Sequence, residues 1–237
     1  MLVLYQRGDY FEGGDLGYVS YADQTRALRA TFRRVVHNLV RSDLAGGDLL
    51  DVGCGYGLLL DQARGAFRSL AGTELSDEAA AQARRRGLDV ITGGLDALPG
   101  DRAFDCIVCA HVIEHVYDPR SFVATLRERV RPGGSIVIAT PDMGSAWRRS
   151  MRSRWPSFKV PEHVLYFDRR TLTRLLDEAG FEDVRTFPYP HAFPLALVAD
   201  KVGLGALGRR SGRLRSVSVW LPATTLALSA RRPVARP

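Results

Sequence analysis

The feature that most constrains this chain is a short apolar strand that runs directly into a glycine-rich turn. Leu49-Leu-Asp-Val52 is followed by Gly53, Gly55 and Gly57, and an apolar helical pattern opens at Leu58. Glycine lets the backbone turn tightly and lets a ligand approach the main chain, and the first turn of a helix offers unpaired N–H groups. This order of elements indicates a ligand site at the carboxyl end of a strand.

Acidic residues near the turn narrow the type of ligand. A dinucleotide fingerprint needs a third glycine at position 58, where this chain has Leu58, and no phosphate-binding Gly-Lys-Ser/Thr follows. Asp51 precedes the turn and is placed to receive an ammonium group. Glu74 ends the next predicted strand, where an acid accepts hydrogen bonds from both hydroxyls of a ribose. The alternative is that Gly53 and Gly55 serve only a strand–helix turn.

Strands and helices alternate along the chain, which predicts a mainly parallel sheet covered by helices on both faces. Residues 142–166 have no regular pattern, and 188–216 are ambiguous, with helical spacing around 195–207. The predicted strands are 48–52, 69–74, 89–92, 104–110, 135–140, 181–187 and 224–230, and the predicted helices are 22–44, 58–66, 76–86, 119–130 and 168–179.

Composition and cysteine usage favour an ordinary cytoplasmic domain. The chain has 237 residues, of which 46% are hydrophobic and 25% charged, so wholesale disorder is excluded. No apolar run reaches the ~18–20 residues that span a bilayer, and the N-terminus lacks a secretory pattern. Cys106 and Cys109 have the spacing of a redox pair, but on a strand they point to opposite faces. We therefore predict two buried core residues.

The net charge of +7 comes almost entirely from arginine, since Lys159 and Lys201 are the only lysines. A solvated face and a surface for acidic partners or anionic lipid are both compatible with this excess. Residues 191–230 combine apolar patches with arginines, and we predict peripheral contact with a membrane or a lipid-like substrate there. The late arginines are Arg148, Arg149, Arg152, Arg154, Arg209, Arg210, Arg213, Arg215, Arg231, Arg232 and Arg236.

Taken in order, these motifs resemble a class I S-adenosylmethionine-dependent methyltransferase, and most closely the small-molecule branch that contains the ubiquinone-biosynthesis O-methyltransferases. The resemblance covers about residues 20–187. The run Pro161-Glu-His-Val-Leu-Tyr-Phe-Asp-Arg-Arg-Thr-Leu172 with Leu176-Asp-Glu-Ala-Gly-Phe181 is typical of that branch. The other segments that carry it are Leu49–Gly57, Gly72–Glu74, Gly94–Pro99, Phe104–Val116 and Val130–Gly134.

The resemblance implies a Rossmann-like α/β fold with a seven-stranded, mainly parallel sheet, helices on both faces and an antiparallel last strand. It implies an N-terminal lid and helix at 1–45 and a methyltransferase domain at 46–237, with 142–167 and 188–216 as acceptor-side insertions. The lid aromatics are Tyr10, Phe11, Tyr18 and Tyr21.

The resemblance also implies S-adenosylmethionine as the cofactor. The glycine loop would contact its methionine part and Glu74 its ribose. An Asp usually binds the adenine amino group, but Gly94 stands at that position, so adenine recognition is assigned to the main chain near Leu95 and to Asp96. The full predicted cofactor set is Asp51, Gly53, Cys54, Gly55, Gly57, Glu74, Leu75, Leu95, Asp96, Ala110, His111 and Tyr21.

Histidines supply the candidate catalytic groups. His111, Glu114 and His115 follow the fourth predicted strand, and on a helical turn they would share one face. His163 follows the fifth strand, at the same sheet edge, so His163, His115 and His111 are the predicted catalytic residues. Three roles stay open for His111, Glu114 and His115: bracing the loop, acting as a general base, and binding a divalent metal. Some relatives use a Glu-rich version of this place with metal, but here His111 replaces the first Glu.

The leading hypothesis is a methyltransferase that acts on a small molecule, with O-methylation in secondary or cell-envelope metabolism favoured because histidines are available as bases. An RNA or protein methyltransferase is the first alternative, with the arginines as its polyanion footprint. Ala110-His-Val-Ile113 occupies the place of the Asn-Pro-Pro-aromatic motif of base-amino methylation, so no nucleic-acid partner is expected. A non-catalytic S-adenosylmethionine-binding module is the second alternative.

Overall fold

A computed structural model describes residues 21–195, 218–221 and 225–234 of the protein. A seven-stranded sheet forms its centre, and a separate two-stranded ladder joins β7 to β8. In chain order the strands are β1 Gly46–Val52, β2 Phe67–Glu74, β3 Asp89–Thr92, β4 Phe104–Ala110, β5 Val130–Pro141, β6 Glu182–Thr186, β7 His191–Pro194, β8 Ser218–Leu221 and β9 Thr225–Arg231.

The strand order of the large sheet is β3-β2-β1-β4-β5-β9-β6. The pairs among the first five strands are parallel, and β9 runs antiparallel to both of its neighbours. This confirms the predicted Rossmann-like fold with an antiparallel last strand. Because these strands are parallel, the carboxyl ends of β1, β2, β4 and β5 lie at one edge of the sheet. The strand order reverses direction at β1, and such sheets bind ligands at that point.

Helices cover the sheet, and several begin at a side chain that satisfies the first backbone N–H groups. Ser76, Asp118 and Asp168 each accept a hydrogen bond from a backbone N–H of the following helix. The helices are α1 Tyr21–Arg41, α2 Leu58–Ala63, α3 Asp77–Arg85, α4 Pro119–Arg129, α5 Ala146–Met151 and α6 Arg169–Glu178. No helix within the described ranges is long and apolar enough to cross a membrane.

Two apolar layers pack on opposite faces of the sheet. Leu49 and Cys106 belong to one layer, whereas Leu50 and Cys109 belong to the other. The alternation follows from the two-residue period of a strand, and both faces are apolar because helices cover both. Cys106 and Cys109 are fully buried on opposite faces, as predicted.

Three element predictions need correction. The second helix ends at Ala63 rather than at residue 66. β5 begins at Val130 rather than at residue 135, because Gly133 and Gly134 pair with the main chain of Arg232 after a register shift that accommodates Pro132. The segment 142–166 contains the short helix α5.

The ambiguous segment also differs from its prediction. His191–Pro194 is a strand, held by the β8 ladder and by a hydrogen bond from the Ala192 N–H to the Thr31 hydroxyl. The predicted helix around 195–207 lies almost wholly outside the described residues. The N-terminal lid residues Tyr10, Phe11 and Tyr18 and the arginines Arg209, Arg210, Arg213 and Arg215 also lie outside the described residues.

Candidate functional site

The glycine turn after β1 has the backbone that its sequence predicted. Gly53, Gly55 and Gly57 all have positive φ, at 71°, 53° and 73°. A Cβ added at Gly53 would lie 2.6 Å from Cγ2 of Val112, so both the conformation and the space require glycine there. The N–H groups of Gly53 and Cys54 donate to the Thr73 carbonyl, which fixes the turn against β2.

Glu74 is buried at the end of β2 and braces the same turn. Its carboxylate accepts the Gly55 N–H at 2.8 Å through Oε2 and the Ser76 N–H at 2.8 Å through Oε1. Burial raises the pKa of Glu74, and hydrogen bonds from the Ser76, Gly55 and Leu75 N–H groups offset part of that rise. The residue predicted to bind ribose is therefore held rigidly beside the loop predicted to hold the methionine part.

Asp51 is buried beneath the turn. Burial, and then the negative charge of Glu74, raise the pKa of Asp51 to about 8. Two buried carboxyl groups that repel each other favour a positively charged ligand, since a cation would relieve the repulsion. An ammonium and a sulfonium group, both present in S-adenosylmethionine, fit this site.

The other predicted cofactor residues have less distinctive surroundings, and their roles stay predictions. Leu95 is buried at the start of a 3₁₀ turn that runs from Leu95 to Ala97, whereas Asp96 is exposed. Cys54 is buried in the glycine turn, Leu75 directly follows β2, and Ala110 is the last residue of β4. Tyr21 begins α1, but its side chain lies outside the described residues.

A histidine–carboxylate pair forms where β4 ends. His111 has φ 58°, in the left-handed region, and its N–H donates to the Ala139 carbonyl. Its Nδ1 lies 3.2 Å from Oε1 of Glu114, and Oε2 of Glu114 accepts the Thr140 hydroxyl at 3.0 Å. Nε2 of His111 is buried, with no hydrogen-bond partner among the described residues.

Glu114 is the centre of this arrangement and is only 1% exposed. Burial by itself raises the pKa of Glu114, but the other interactions, chiefly the hydrogen bond from His111, outweigh it and leave the pKa lowered. An ionised carboxylate only accepts hydrogen bonds, so Nδ1 of His111 carries the proton of that hydrogen bond.

The other two predicted catalytic histidines lie together on the far side of Glu114. The rings of His115 and His163 meet edge to face, with centroids 4.8 Å apart. Nδ1 of His115 lies 2.8 Å from the Glu162 carbonyl, and Nδ1 of His163 lies 2.8 Å from the Ser157 carbonyl. Burial lowers the pKa of both, to about 4 for His163, so both are neutral near pH 7.

This cluster also fits a metal ion, the role that the resemblance left open. Ligand atoms of Glu114, His115 and His163 all lie within 4.8 Å of one another. Each histidine directs Nδ1 at a carbonyl oxygen, as metal-binding histidines do when Nε2 is the ligand atom. In this candidate metal site, His163 replaces His111, which the sequence had grouped with Glu114 and His115. A bound ion would supply Lewis acidity.

Sequence reasoning missed two aromatic residues at this site. Tyr189 and His191 place their rings 6.1 Å and 6.0 Å from the ring of His111, and His191 stacks on Phe193 at 4.4 Å. Burial, and then the charge of His111, lower the pKa of His191 to about 3. No local pattern marks them, because the β7–β8 ladder brings them to the site from a distant part of the chain.

Comparison with known proteins agrees with this geometry. A profile of the family described as "Methyltransferase domain" matches residues 23–186, which include the glycine turn, Glu74 and the histidine cluster. The chain belongs to this methyltransferase family. A probable S-adenosylmethionine-dependent methyltransferase of Mycolicibacterium smegmatis is 32% identical over 194 residues, which cover 80% of this chain and 74% of that protein. The methyltransferase is an enzyme, and S-adenosylmethionine is its cofactor.

Relatives of narrower function match shorter stretches of the methyltransferase. The ubiquinone biosynthesis O-methyltransferase of Thiobacillus denitrificans is 37% identical over 110 residues, which are 42% of this chain and 47% of that protein. The methyltransferase thus spans about half the length of that relative. The crystal structure of magnesium protoporphyrin IX methyltransferase from Synechocystis PCC 6803, with bound S-adenosylhomocysteine, has a TM-score of 0.61 and 15% identity, and 97% of each chain is covered. It confirms the fold.

Proposed function

We propose that this methyltransferase transfers a methyl group to a hydroxyl oxygen of a small molecule, with His111 as the general base. One observation carries the proposal: the buried Nε2 of His111 has no partner among the described residues, while Nδ1 is held by Glu114. A neutral imidazole in that tautomer is an acceptor that a substrate hydroxyl would satisfy. Glu114 would stabilise the imidazolium that forms.

The chemistry needs alignment and one proton acceptor. S-adenosylmethionine, when bound, supplies a methyl group on a positively charged sulfur, which leaves as S-adenosylhomocysteine. A bond forms between the acceptor oxygen and the methyl carbon, the carbon–sulfur bond breaks, and the hydroxyl proton passes to Nε2 of His111. Glu74 and the glycine turn hold one reactant while His111 orients the other, which lowers the entropic cost of the encounter.

The surroundings of His111 favour a small acceptor. Tyr189, His191 and Phe193 form an aromatic wall beside it, and small-molecule sites are mostly apolar with a few polar groups. The partial match to ubiquinone biosynthesis O-methyltransferases supports an O-acceptor. We place the reaction in secondary or cell-envelope metabolism and in the cytoplasm.

The test uses labelled S-adenosylmethionine and pooled small-molecule extracts, with release of S-adenosylhomocysteine as the readout. Wild-type protein should label a small molecule. The product should be heavier by one methyl group, and that group should be bonded to oxygen. His111→Ala should lose about 10²–10⁴-fold in turnover, and added imidazole should restore part of it, which a purely structural role would not allow. His37→Ala, an exposed histidine on α1, is the matched control.

Two results would overturn the proposal. Label that enters only RNA or protein would replace the small-molecule acceptor with a macromolecular one. Full turnover of His111→Ala would leave alignment as the sole source of catalysis.

A further inference from the structure

An unusually basic stretch of the chain lies between the end of β5 and His163. Residues 143–161, called here the basic aromatic segment, contain no aspartate or glutamate. The segment includes α5 and a 3₁₀ turn that runs from Arg152 to Arg154. Its basic residues are Arg148, Arg149, Arg152, Arg154 and Lys159.

The arginines of this segment differ from those elsewhere on the sheet. Arg68 and Arg131 form ion pairs with Asp48 and Asp105 at the opposite edge. By contrast, no ion pair with a described carboxylate involves Arg149, Arg152 or Arg154, all of which are exposed. The charge of Arg149 partly offsets the rise that burial causes in the pKa of Asp142, so Arg152 and Arg154 supply most of the charge that attracts a surface of opposite sign.

Large apolar side chains lie exposed among these charges. Trp147 is 43% exposed, Phe158 36% and Val160 80%. Beneath them, Trp155 is buried and packs edge to face on Phe158, with centroids 5.1 Å apart. Tryptophan and arginine together suit the boundary of a bilayer, where the ring enters the headgroup region and the guanidinium binds phosphate.

The segment is connected directly to the catalytic cluster. The His163 N–H donates to the Lys159 carbonyl, and Nδ1 of His163 lies 2.8 Å from the Ser157 carbonyl. The ring of His163 in turn packs on His115. We propose that the basic aromatic segment docks the methyltransferase on an anionic lipid bilayer, with the acceptor side of the sheet facing the membrane. The proposal concerns a different part of the chain from the arginines after residue 208 and holds whichever atom accepts the methyl group.

The experiment measures sedimentation of the full chain with vesicles. Phosphatidylcholine vesicles are compared with vesicles that also contain phosphatidylglycerol, at low and high salt. Binding should require the anionic lipid and fall with salt, because each arginine near such a surface contributes roughly five-fold to partitioning. The triple variant Arg149→Ala, Arg152→Ala, Arg154→Ala should reduce binding about 100-fold by the same reasoning.

Matched variants show whether this surface is responsible. Arg41→Ala, Arg85→Ala and Arg170→Ala together remove the same charge from exposed sites elsewhere and should leave most binding intact. Trp147→Ala should weaken the binding that survives high salt. Calorimetry with S-adenosylhomocysteine shows that each variant is folded.

Three outcomes would overturn the proposal. One is equal binding of the triple variant and wild type. Another is an equal loss in the control variant, which would mean that only net charge matters. The third is RNA binding that the triple variant loses while vesicle binding stays unchanged, which would make the segment a nucleic-acid surface.

Discussion

The two halves of the site are built from opposite chemistry. The cofactor half uses buried carboxyl groups and backbone N–H groups, centred on Asp51, Glu74 and the glycine turn. The acceptor half uses imidazoles around one buried carboxylate, Glu114. Both halves lie at the same sheet edge, but burial raises the pKa of the acids in the first half and lowers the pKa of His115 and His163 in the second.

From this contrast we expect the two halves to separate cofactor binding from proton transfer. The buried acids beside the glycine turn favour a bound cation, which would in turn favour their ionised forms. Neutral histidines beside Glu114 are ready to accept a proton or to bind a metal ion. Changes in the acid half should therefore alter affinity, whereas changes in the histidine half should alter turnover.

The largest expected effect follows from Glu114→Gln. The amide keeps the size of the side chain but removes the negative charge that fixes the tautomer of His111, so turnover should fall about 10²–10⁴-fold. Affinity for S-adenosylhomocysteine, measured by calorimetry, should be unchanged. A parallel loss of affinity would contradict the separation of the two halves.

Chelation of wild-type protein completes that experiment. Turnover that survives a strong chelator supports the base role of His111. Turnover that is lost with the chelator and restored by added divalent ion would instead assign Glu114, His115 and His163 to a metal site.

Glu74→Ala should have the next largest effect, on affinity rather than on turnover at saturating cofactor. It removes the acceptor for the Gly55 and Ser76 N–H groups and for the ribose, so binding should weaken by about 1–3 kcal/mol, or roughly 5- to 150-fold. Calorimetry measures the loss. Glu78→Ala, an exposed acid at the start of α3, is the control and should bind as wild type does.

The pH dependence of cofactor binding should report on Asp51. With a pKa of about 8, Asp51 is protonated in the free protein at pH 7, and a bound ammonium group would favour its ionised form. Binding should release protons. As the pH is raised toward about 8, affinity should therefore rise by up to ~10-fold per pH unit. Calorimetry in buffers of different ionisation enthalpy measures that release. Asp51→Asn should abolish it; persistent release in that variant would assign the proton elsewhere.

The smallest effect concerns acid stability of the histidine half. The pKa of His163 is about 4 when folded and about 6.5 when unfolded, so the unfolded chain binds the proton more readily. Stability should be full above about pH 6.5 and should decrease as the pH falls toward 4. Melting temperature against pH measures this, and His163→Gln should flatten the slope relative to His37→Gln. Equal slopes in the two variants would mean that His163 is not a buried neutral group in the folded protein.

Much of the cofactor half could be predicted because its signals are local. Gly53, Gly55 and Gly57 mark positions that need a positive φ, and Glu74 ends a strand with a clear apolar pattern. The parallel sheet and its antiparallel last strand came from element order and from the family resemblance. The helix at 58–66 and the start of β5 were wrong by several residues, because packing and pairing with Arg232, not propensity, decide where those elements end and begin.

The sequence alone determined that this chain winds a parallel sheet and that a glycine turn and a buried acid meet beside its first strand, because glycines, strand patterns and a strand-end acid act over short distances. Only the tertiary structure decided which side chains gather around Glu114. It set His163 against His115, directed Nδ1 of His111 to Glu114, and brought Tyr189 and His191 across from β7. Those contacts join residues far apart in the chain, so no local periodicity records them.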